Sequence, residues 1–159
     1  MKKTMLFAIV LALPTMILIA RTANAIKIDQ ETEKTEEAKS AFLEIVDLWY
    51  DQKFDELYAR FAYKHGGKMS KEKFINRMAA EKKRLACCWQ KVQDIKVKLS
   101  SSHQATVSAK LGFEDQANNA VYVATEIPLY LKDDHWKVRA QDILSAAPDL
   151  TKHKSKKKK

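Results

Sequence analysis

The two cysteines of this 159-residue chain, Cys87 and Cys88, are adjacent and carry its only thiols. A trans peptide holds neighbouring Cα atoms about 3.80 Å apart, below the usual disulfide range of about 4.4 to 6.8 Å, so a bond between them would be strained and easily reduced. Three interpretations stay open. In the first, Cys87 and Cys88 lie on a strand, one as a small buried hydrophobe and the other as a tolerated thiol, and Cys87 shares the side of Trp89. The others are a disulfide between two chains and a redox-active vicinal pair.

Carboxylates are the other candidates, because general acid–base catalysis needs placed titratable groups, and we expect at least two of them. Four acids point away from the predicted core: Glu44, Asp47, Asp51 and Glu126. Asp142 alone has the inward parity of Trp136, Val138 and Ala140 on a predicted fourth strand. It is a weak candidate catalytic residue, and the sequence favours a protein that is not an enzyme.

Other reactive residues form no recognisable group. The four histidines are scattered: His65, His103, His135 and His153. None is spaced to place two metal ligands on one helix face or hairpin. Ser100 to Ser102 are typical of a turn, and no Gly-rich phosphate loop is present. We predict no metal site and no cofactor.

The first half of the chain shows helical periodicity. Thr35 is placed to cap a helix whose apolar side carries Ala38, Ala41, Phe42, Ile45, Leu48, Trp49 and Gln52. A shorter helix follows with Phe54, Leu57, Tyr58 and Phe61 on one side. Ser70 is placed to cap a third helix that buries Phe74, Ile75, Met78 and Leu85.

From about Cys87 the apolar period changes to two. Three strands are predicted around Ile95 to Leu99, Ala105 to Phe113 and Val121 to Leu131, and a fourth places Trp136, Val138 and Ala140 inward. The breaks between them are short and turn-like. Two to three N-terminal helices followed by a four-stranded antiparallel meander predict an α+β domain.

Residues 1 to 25 have the pattern of a secretory signal peptide. Lys2 and Lys3 precede an apolar run from Met5 to Ala20, and Ala23-Asn24-Ala25 supplies the small residues of a cleavage site. The apolar run is shorter than the roughly 20 residues that a spanning helix needs. We expect cleavage after Ala25 and a bacterial protein that is periplasmic or secreted. Residues 26–35 then form a polar lead-in, 36–147 the domain and 148–159 a disordered basic tail.

The positive charge of the chain lies at its ends. Lys and Arg number 29 against 20 Asp and Glu, for a formal net charge of +9. The signal region holds three of the basic residues and the tail holds six, from Lys152 to Lys159, without an acid in either. Residues 26–151 therefore carry 20 of each sign. A neutral domain does not predict nucleic-acid binding, which requires a folded basic patch. The tail is either a solubilising end or a weak contact with anionic membrane or envelope polymer.

Within the domain, basic residues gather in one helical region. The patch comprises Lys71, Lys73, Arg77, Lys82, Lys83 and Arg84. One interpretation is a solvated helix face that compensates the acidic helix before it. The other is a surface that meets an anionic partner.

The segments Phe-Asp-Glu-Leu-Tyr at 54–58 and Asp-Asp-His-Trp-Lys-Val at 133–138, in helices leading into a four-stranded sheet, resemble the nuclear-transport-factor-2-like superfamily. The likeness extends to its small exported bacterial members of unknown function. It covers residues 36–147. The resemblance implies a sheet curved into a cone whose mouth often holds a ligand. It also implies a homodimer through the outer sheet face, where Tyr122, Ala124, Pro128 and Tyr130 are rather apolar.

Five aromatic side chains are predicted at the inner face: Trp49, Tyr58, Phe61, Phe113 and Trp136. They either fill the core or line an apolar ligand pocket. The leading hypothesis is an exported, non-catalytic envelope domain that binds a partner protein or a small apolar ligand. An isomerase-like or dehydratase-like enzyme with its site in the cone, and a structural subunit of an envelope complex, are the alternatives.

Overall fold

The computed structural model describes residues 7–63, 69–80, 84–114 and 119–146, with side chains from residue 29 onward. The chain divides into two compact units, residues 1–34 and 35–159. Helix α1 runs from Phe7 to Tyr50, so Thr35 lies inside a helix and the prediction that it caps one is wrong. Lys2, Lys3, His65, Lys82, Lys83 and the predicted tail lie outside the described residues.

The second half of α1 supplies one wall of the core. Its buried side chains recur at helical spacing: Ala38, Phe42, Ile45, Val46, Leu48 and Trp49. Glu44 pairs with Arg60 and Asp47 pairs with Lys91, both through exposed carboxylates. The outward prediction for these two acids is confirmed. The helix ends at Tyr50, and Gln52 then adopts a left-handed φ of 59°.

Two shorter helices follow. Helix α2 spans Phe54–Phe61 and buries Phe54, Leu57 and Phe61, as the spacing predicts. Helix α3 spans Lys71–Ala80 and buries Phe74 and Met78. The Ser70 Oγ accepts a hydrogen bond from the Lys73 N–H at 3.2 Å, which confirms the predicted cap because it satisfies one of the first free amides of the helix.

The sheet is a four-stranded antiparallel meander in the order β1-β2-β3-β4. Its strands are β1 Val92–Ser101, β2 Gln104–Glu114, β3 Ala120–Lys132 and β4 His135–Val138. Alternating burial along β2 matches the predicted parity, and Glu126 is exposed on β3. Asp133 and Asp134 form the β3–β4 turn with φ of 50° and 57°, a conformation that Asp tolerates and that matches the strand twist. The α+β prediction is confirmed, with four α-helices among the described residues.

The predicted fourth strand is too long. β4 ends at Val138, and Ala140 begins helix α4, Ala140–Ala146. Ala140 is buried as expected, but as the first residue of a helix. Strand parity therefore does not apply beyond Val138.

One apolar core joins these elements. It gathers side chains of α1, α2, α3, β2, β3, β4 and α4, and none of the buried residues among those described is polar or charged. The inner side chains of edge strand β1, including Ile95, Val97 and Leu99, are only partly buried against it.

Candidate functional site

The five predicted pocket aromatics all belong to this core or its margin. Trp49, Phe61, Phe113 and Trp136 are buried, and Tyr58 is partly buried. Trp49 packs edge-on against Phe113 with ring centroids 5.8 Å apart. The structure therefore brings helix α1 and strand β2 together through two of the predicted residues.

Tyr58 is held at a defined position on the rim of the core. Its hydroxyl donates a hydrogen bond to the Met69 carbonyl at 2.7 Å. Its ring packs on Phe74 with centroids 5.6 Å apart. Tyr58 thus connects α2 to α3 and to Met69, the residue before the Ser70 cap of α3.

Trp136 differs from the other core aromatics. Its Nε1 is the one buried side-chain nitrogen or oxygen in the described part of the chain that has no hydrogen-bond partner. A buried donor without an acceptor costs about 1 to 3 kcal/mol, so its position calls for an explanation. The sequence pattern does not indicate this unpaired N–H, because alternation places the Trp136 ring inward without showing where its N–H points.

Contrary to the prediction, Asp142 does not face into the core. It lies in the first turn of α4, where its two carboxylate oxygens accept hydrogen bonds from Arg139 at 2.7 and 3.1 Å. The hydrogen bond that Arg139 donates to Asp142 raises the pKa of Arg139 above its ordinary value. The prediction that Asp142 points inward is wrong because the chain turns helical at Ala140. Its carboxylate closes a local ion pair.

Two members of the predicted basic patch form ion pairs with neighbouring elements. Lys71 pairs with Asp55, and Arg84 pairs with Glu114 at 3.3 Å. Lys82 and Lys83 lie outside the described residues. Lys73 and Arg77 share one face of α3, a single turn apart, where side chains are about 5 to 6 Å apart at Cβ.

Lys73 and Arg77 line an open depression of about 460 Å³. Its lining is completed by Ser70, Glu72, Asn76 and Ala80. Two cations, one amide and one carboxylate leave the depression with a single net positive charge. The spacing of Lys73 and Arg77 in the sequence is the signal that points to it.

Cys87 and Cys88 form a disulfide with each other, and both are exposed. The prediction that one of them is a buried hydrophobe on a strand is therefore wrong. Cys88 begins a short 3₁₀ turn, Cys88–Gln90, and has a φ of 59°. Trp89, expected to share the side of Cys87 on a strand, lies in that turn with 74% of its surface exposed. Redox activity of the pair stays a prediction.

The residues Cys87–Lys91 form a loop, here called the Trp89 loop, that interrupts pairing along the edge of the sheet. Before it, Leu85 bridges to Phe113, and after it, Val92 pairs with Leu111. Ala86, just before the loop, and Lys91, its last residue, both bind the backbone of Gly112. The Ala86 N–H donates to the Gly112 carbonyl at 2.9 Å, and the Gly112 N–H donates to the Lys91 carbonyl at 3.1 Å.

The outer face of the sheet is mixed in character. Tyr122 and Ala124 are exposed on β3, while Pro128 and Tyr130 are partly buried. Lys96 and Lys98 are exposed on β1. The Gln93 amide donates to the Tyr122 hydroxyl at 3.0 Å, which connects strand β1 to strand β3 across this face.

Among the residues whose side chains the structure describes, no three His, Cys, Asp or Glu side chains lie close enough together to hold a metal ion. In the described part of the chain, no helix has the length and apolar character needed to cross a membrane. Neither a protein-family model nor a curated protein matches this chain.

Proposed function

We propose that this chain is an exported, non-catalytic binding domain of the nuclear-transport-factor-2-like type that acts in the bacterial envelope. The order of charge, apolar run and small residues at 1–25 supports export. Helices leading into a four-stranded antiparallel meander support the fold type. The cone-like curvature of the sheet and pairing of two copies through its outer face are part of the proposal.

The positions of the acids support binding rather than catalysis. General acid–base catalysis in an apolar pocket relies on titratable groups whose pKa is shifted by burial. The described candidates instead lie in ion pairs near the surface: Asp142 with Arg139, Glu44 with Arg60 and Asp47 with Lys91. These carboxylates stabilise contacts between neighbouring elements.

The observation that carries a binding role is the depression on α3. Lys73 and Arg77 line it together, and Asn76 adds an amide donor. A guanidinium and an ammonium one turn apart match the oxygens of a carboxylate or phosphate group. The partner of this domain is accordingly an anionic group, presented by an acidic protein segment or by a phosphorylated small molecule.

The test removes both cations by the double substitution Lys73→Gln and Arg77→Gln. A fluorescent poly-glutamate peptide and inorganic phosphate serve as probes, the first measured by anisotropy and the second as a competitor at low salt. We expect affinity for the peptide to fall about tenfold, which corresponds to about 1.4 kcal/mol. Displacement of the bound peptide by inorganic phosphate would identify the partner as a phosphorylated molecule.

The matched control is the double substitution Lys96→Gln and Lys98→Gln, which removes the same charge from exposed positions on β1. We expect it to change affinity less than twofold. An equal loss in the two double variants would mean that the probe responds only to net charge. That result would overturn the assignment of the α3 depression.

A second candidate function follows from Trp136. An apolar ligand with one hydrogen-bond acceptor, held within the core, would satisfy the unpaired indole N–H. Decanoic acid is a suitable probe because it combines an apolar chain with a carboxyl oxygen. Binding to the native state raises the unfolding temperature, so we expect a rise in the wild type that Trp136→Phe removes. No rise in either protein would reject this candidate.

A further inference from the structure

The disulfide between Cys87 and Cys88 is poorly suited to stapling the fold. The two residues are neighbours in the sequence, so their bond closes the shortest loop that two cysteines can close. A disulfide stabilises mainly by restricting the unfolded chain, and the restriction grows with the number of residues in the closed loop. This disulfide therefore adds little to the stability of the domain, and its presence calls for another role.

The pair is open to reagents in solution. The chain passes directly from the buried Ala86 to Cys87, and both cysteines are exposed. Exchange begins when an external thiolate reaches one of the two sulfur atoms, so access helps to set its rate. Structural disulfides resist reduction, whereas exposed ones are the labile or regulatory class. The exposure of Cys87 and Cys88 places their bond in the second class.

The backbone at Cys88 has an unusual conformation. Its φ of 59° lies in the left-handed region, which residues with a Cβ rarely adopt. Cys87 before it is extended, with φ of −62° and ψ of 145°. The disulfide joins the two side chains across this change of direction and so holds Cys88 in the left-handed region. When the bond is broken, we expect the backbone at Cys88 to return toward negative φ.

Two hydrogen bonds inside the Trp89 loop depend on this conformation. The Gln90 N–H donates to the Cys87 carbonyl at 3.0 Å, and the Lys91 N–H donates to the Cys88 carbonyl at 3.4 Å. Both acceptors belong to the disulfide-bonded residues, so a rotation of the backbone at Cys88 redirects them. These bonds enclose Trp89, which is therefore presented in an ordered position while the pair is oxidised.

The ends of the loop are fixed without help from the sulfur atoms. The Ala86 N–H donates to the Gly112 carbonyl, and the Gly112 N–H donates to the Lys91 carbonyl. The Lys91 ammonium also pairs with Asp47 on helix α1. A change that starts at the disulfide is therefore confined to the loop, and the sheet edge on either side of it stays in place.

We infer that Cys87 and Cys88 form a reversible thiol–disulfide exchange site for a dithiol, and that reduction releases the turn at Cys88 and the ordered position of Trp89. The oxidised form is the one that the structure shows. The site lies outside the α3 depression and needs no anionic partner. Failure of the binding proposal and failure of this one are therefore distinguishable.

The exchange has two steps. One thiolate of the dithiol attacks a sulfur of the pair, which breaks the Sγ–Sγ bond, forms a mixed disulfide and releases the other cysteine as a thiolate. The second thiolate of the dithiol then attacks the reagent's own sulfur in the mixed disulfide. The reagent closes into a disulfide, and the attacked cysteine leaves as a thiolate. Two electrons pass from the dithiol to the pair, and the two protons of the dithiol end on the cysteines.

The experiment uses the full chain as its host processes it, purified without reductant. Dithiothreitol is the dithiol probe, and iodoacetamide labelling read by mass spectrometry counts the free thiols. The protein is kept dilute and shown by sedimentation to be monomeric, so a second copy on the outer sheet face does not limit access. We expect no label before reduction, two labels after it, and return of the disulfide when excess oxidised dithiothreitol is added. The pair should be reduced at least as fast as oxidised glutathione, an unconstrained disulfide at the same concentration.

Amide hydrogen exchange tests whether reduction releases the loop. Exchange of the Gln90 N–H should speed up about tenfold on reduction, because its bond to the Cys87 carbonyl opens more often. The Ala86 N–H is the internal control, since it bonds to Gly112 outside the loop, and its rate should change less than about twofold. The fluorescence emission of Trp89 should change together with the Gln90 exchange rate.

Two variants without thiols separate the chemistry from the conformation. Cys87→Ser with Cys88→Ser removes the disulfide and keeps a Cβ at the left-handed position. Cys87→Ser with Cys88→Gly also removes the disulfide, but glycine adopts positive φ without a steric penalty. We expect the first variant to exchange the Gln90 N–H as fast as the reduced wild type and the second to exchange it more slowly. Neither should respond to dithiothreitol.

Three results would each overturn the inference. Labelling of both cysteines before reduction would show that they are not joined in solution. Reduction more than about tenfold slower than that of oxidised glutathione would show that the site is closed to dithiols. Equal Gln90 exchange in the oxidised and reduced protein would show that the sulfur bond does not hold the turn. If either variant fails to fold by circular dichroism, exchange in the wild type still decides the question, because it needs no substitution.

Discussion

The ring of Tyr63 stacks on the ring of Tyr130, with centroids 5.2 Å apart and 24° between the ring planes. Lys132 Nζ lies 5.5 Å from the ring centre of Tyr63, and the Arg139 guanidinium lies 5.5 Å from that of Tyr130. The Tyr63 N–H also donates to the Val138 carbonyl at 2.7 Å. The chain leaving α2 is thereby fixed to the last two strands of the sheet.

This stack should contribute measurably to stability. We expect a double-mutant cycle of Tyr63→Leu and Tyr130→Leu, followed by urea unfolding, to give a coupling free energy of about 1 kcal/mol. Tyr122→Leu combined with Tyr130→Leu is the control and should give coupling below about 0.4 kcal/mol. Similar coupling in the two cycles would mean that the Tyr63 contact is energetically unimportant.

Gly112 should be intolerant of any side chain. An added Cβ would lie 2.1 Å from the Gln90 backbone oxygen, and a backbone atom cannot turn aside as a side chain can. We expect Gly112→Ala to cost about 2 kcal/mol or more, measured by urea unfolding, because the Trp89 loop must move off the strand. The emission of Trp89 should change in the same variant.

Ser108→Ala on the same strand is the matched control for Gly112→Ala. Ser108 is partly exposed, so the substitution should change stability by less than about 0.5 kcal/mol. A Gly112→Ala variant as stable as Ser108→Ala would show that the loop is free to shift. The ordered presentation of Trp89 would then lose its support.

Periodicity predicted the parts of the fold in which one face of an element is buried. Alternation along Ala105 to Phe113 gave the inward side of β2 correctly, and the spacing of Phe54, Leu57 and Phe61 gave α2. Ser70 was recognisable as a cap because its hydroxyl precedes an apolar helical pattern and accepts from Lys73. These are local signals, and they are sufficient where burial repeats regularly.

Features that depend on distant chain segments were not predictable. Gly112 has no local mark of its role, because the close approach comes from Gln90, 22 positions earlier in the sequence. Cys87 and Cys88 stand where the strand-like period was predicted to begin, yet the chain leaves the sheet edge there. Asp142 was misplaced because Ala140 satisfies both strand parity and the first turn of a helix.

The ion pair between Asp94 and Lys110 should make stability depend weakly on pH at both extremes. The hydrogen bond from Lys110 lowers the pKa of Asp94, and the same bond raises the pKa of Lys110. The stabilisation linked to Asp94 is present above the ordinary aspartate pKa of about 3.9 and is lost as pH falls through the lowered folded-state pKa. The stabilisation linked to Lys110 is present below about pH 10.4 and is lost as pH rises through the raised folded-state pKa.

Carboxyl NMR titration checks this pair directly. In Lys110→Gln, the pKa of Asp94 should rise toward its ordinary value. Lys96→Gln should raise it less, because Lys96 acts on Asp94 only through charge and contributes less than Lys110. Since both partners are exposed, about 1 M salt should reduce the effect. An Asp94 pKa that is insensitive to Lys110→Gln would show that the pair does not persist in solution.

The buried tryptophans Trp49 and Trp136 provide a matched comparison of indole hydrogen bonding. Trp136 Nε1 has no partner, so Trp136→Phe removes an unsatisfied donor together with part of a buried ring. Trp49→Phe removes a comparable volume at 1% exposure and gains no such compensation. We expect Trp49→Phe to be the costlier substitution by at least about 1 kcal/mol in urea unfolding. Equal costs would show that the Trp136 N–H has a partner in solution. In that event, its ¹H–¹⁵N resonance should shift on adding decanoic acid if the partner is displaceable by a ligand, and stay fixed if the partner is a tightly held water.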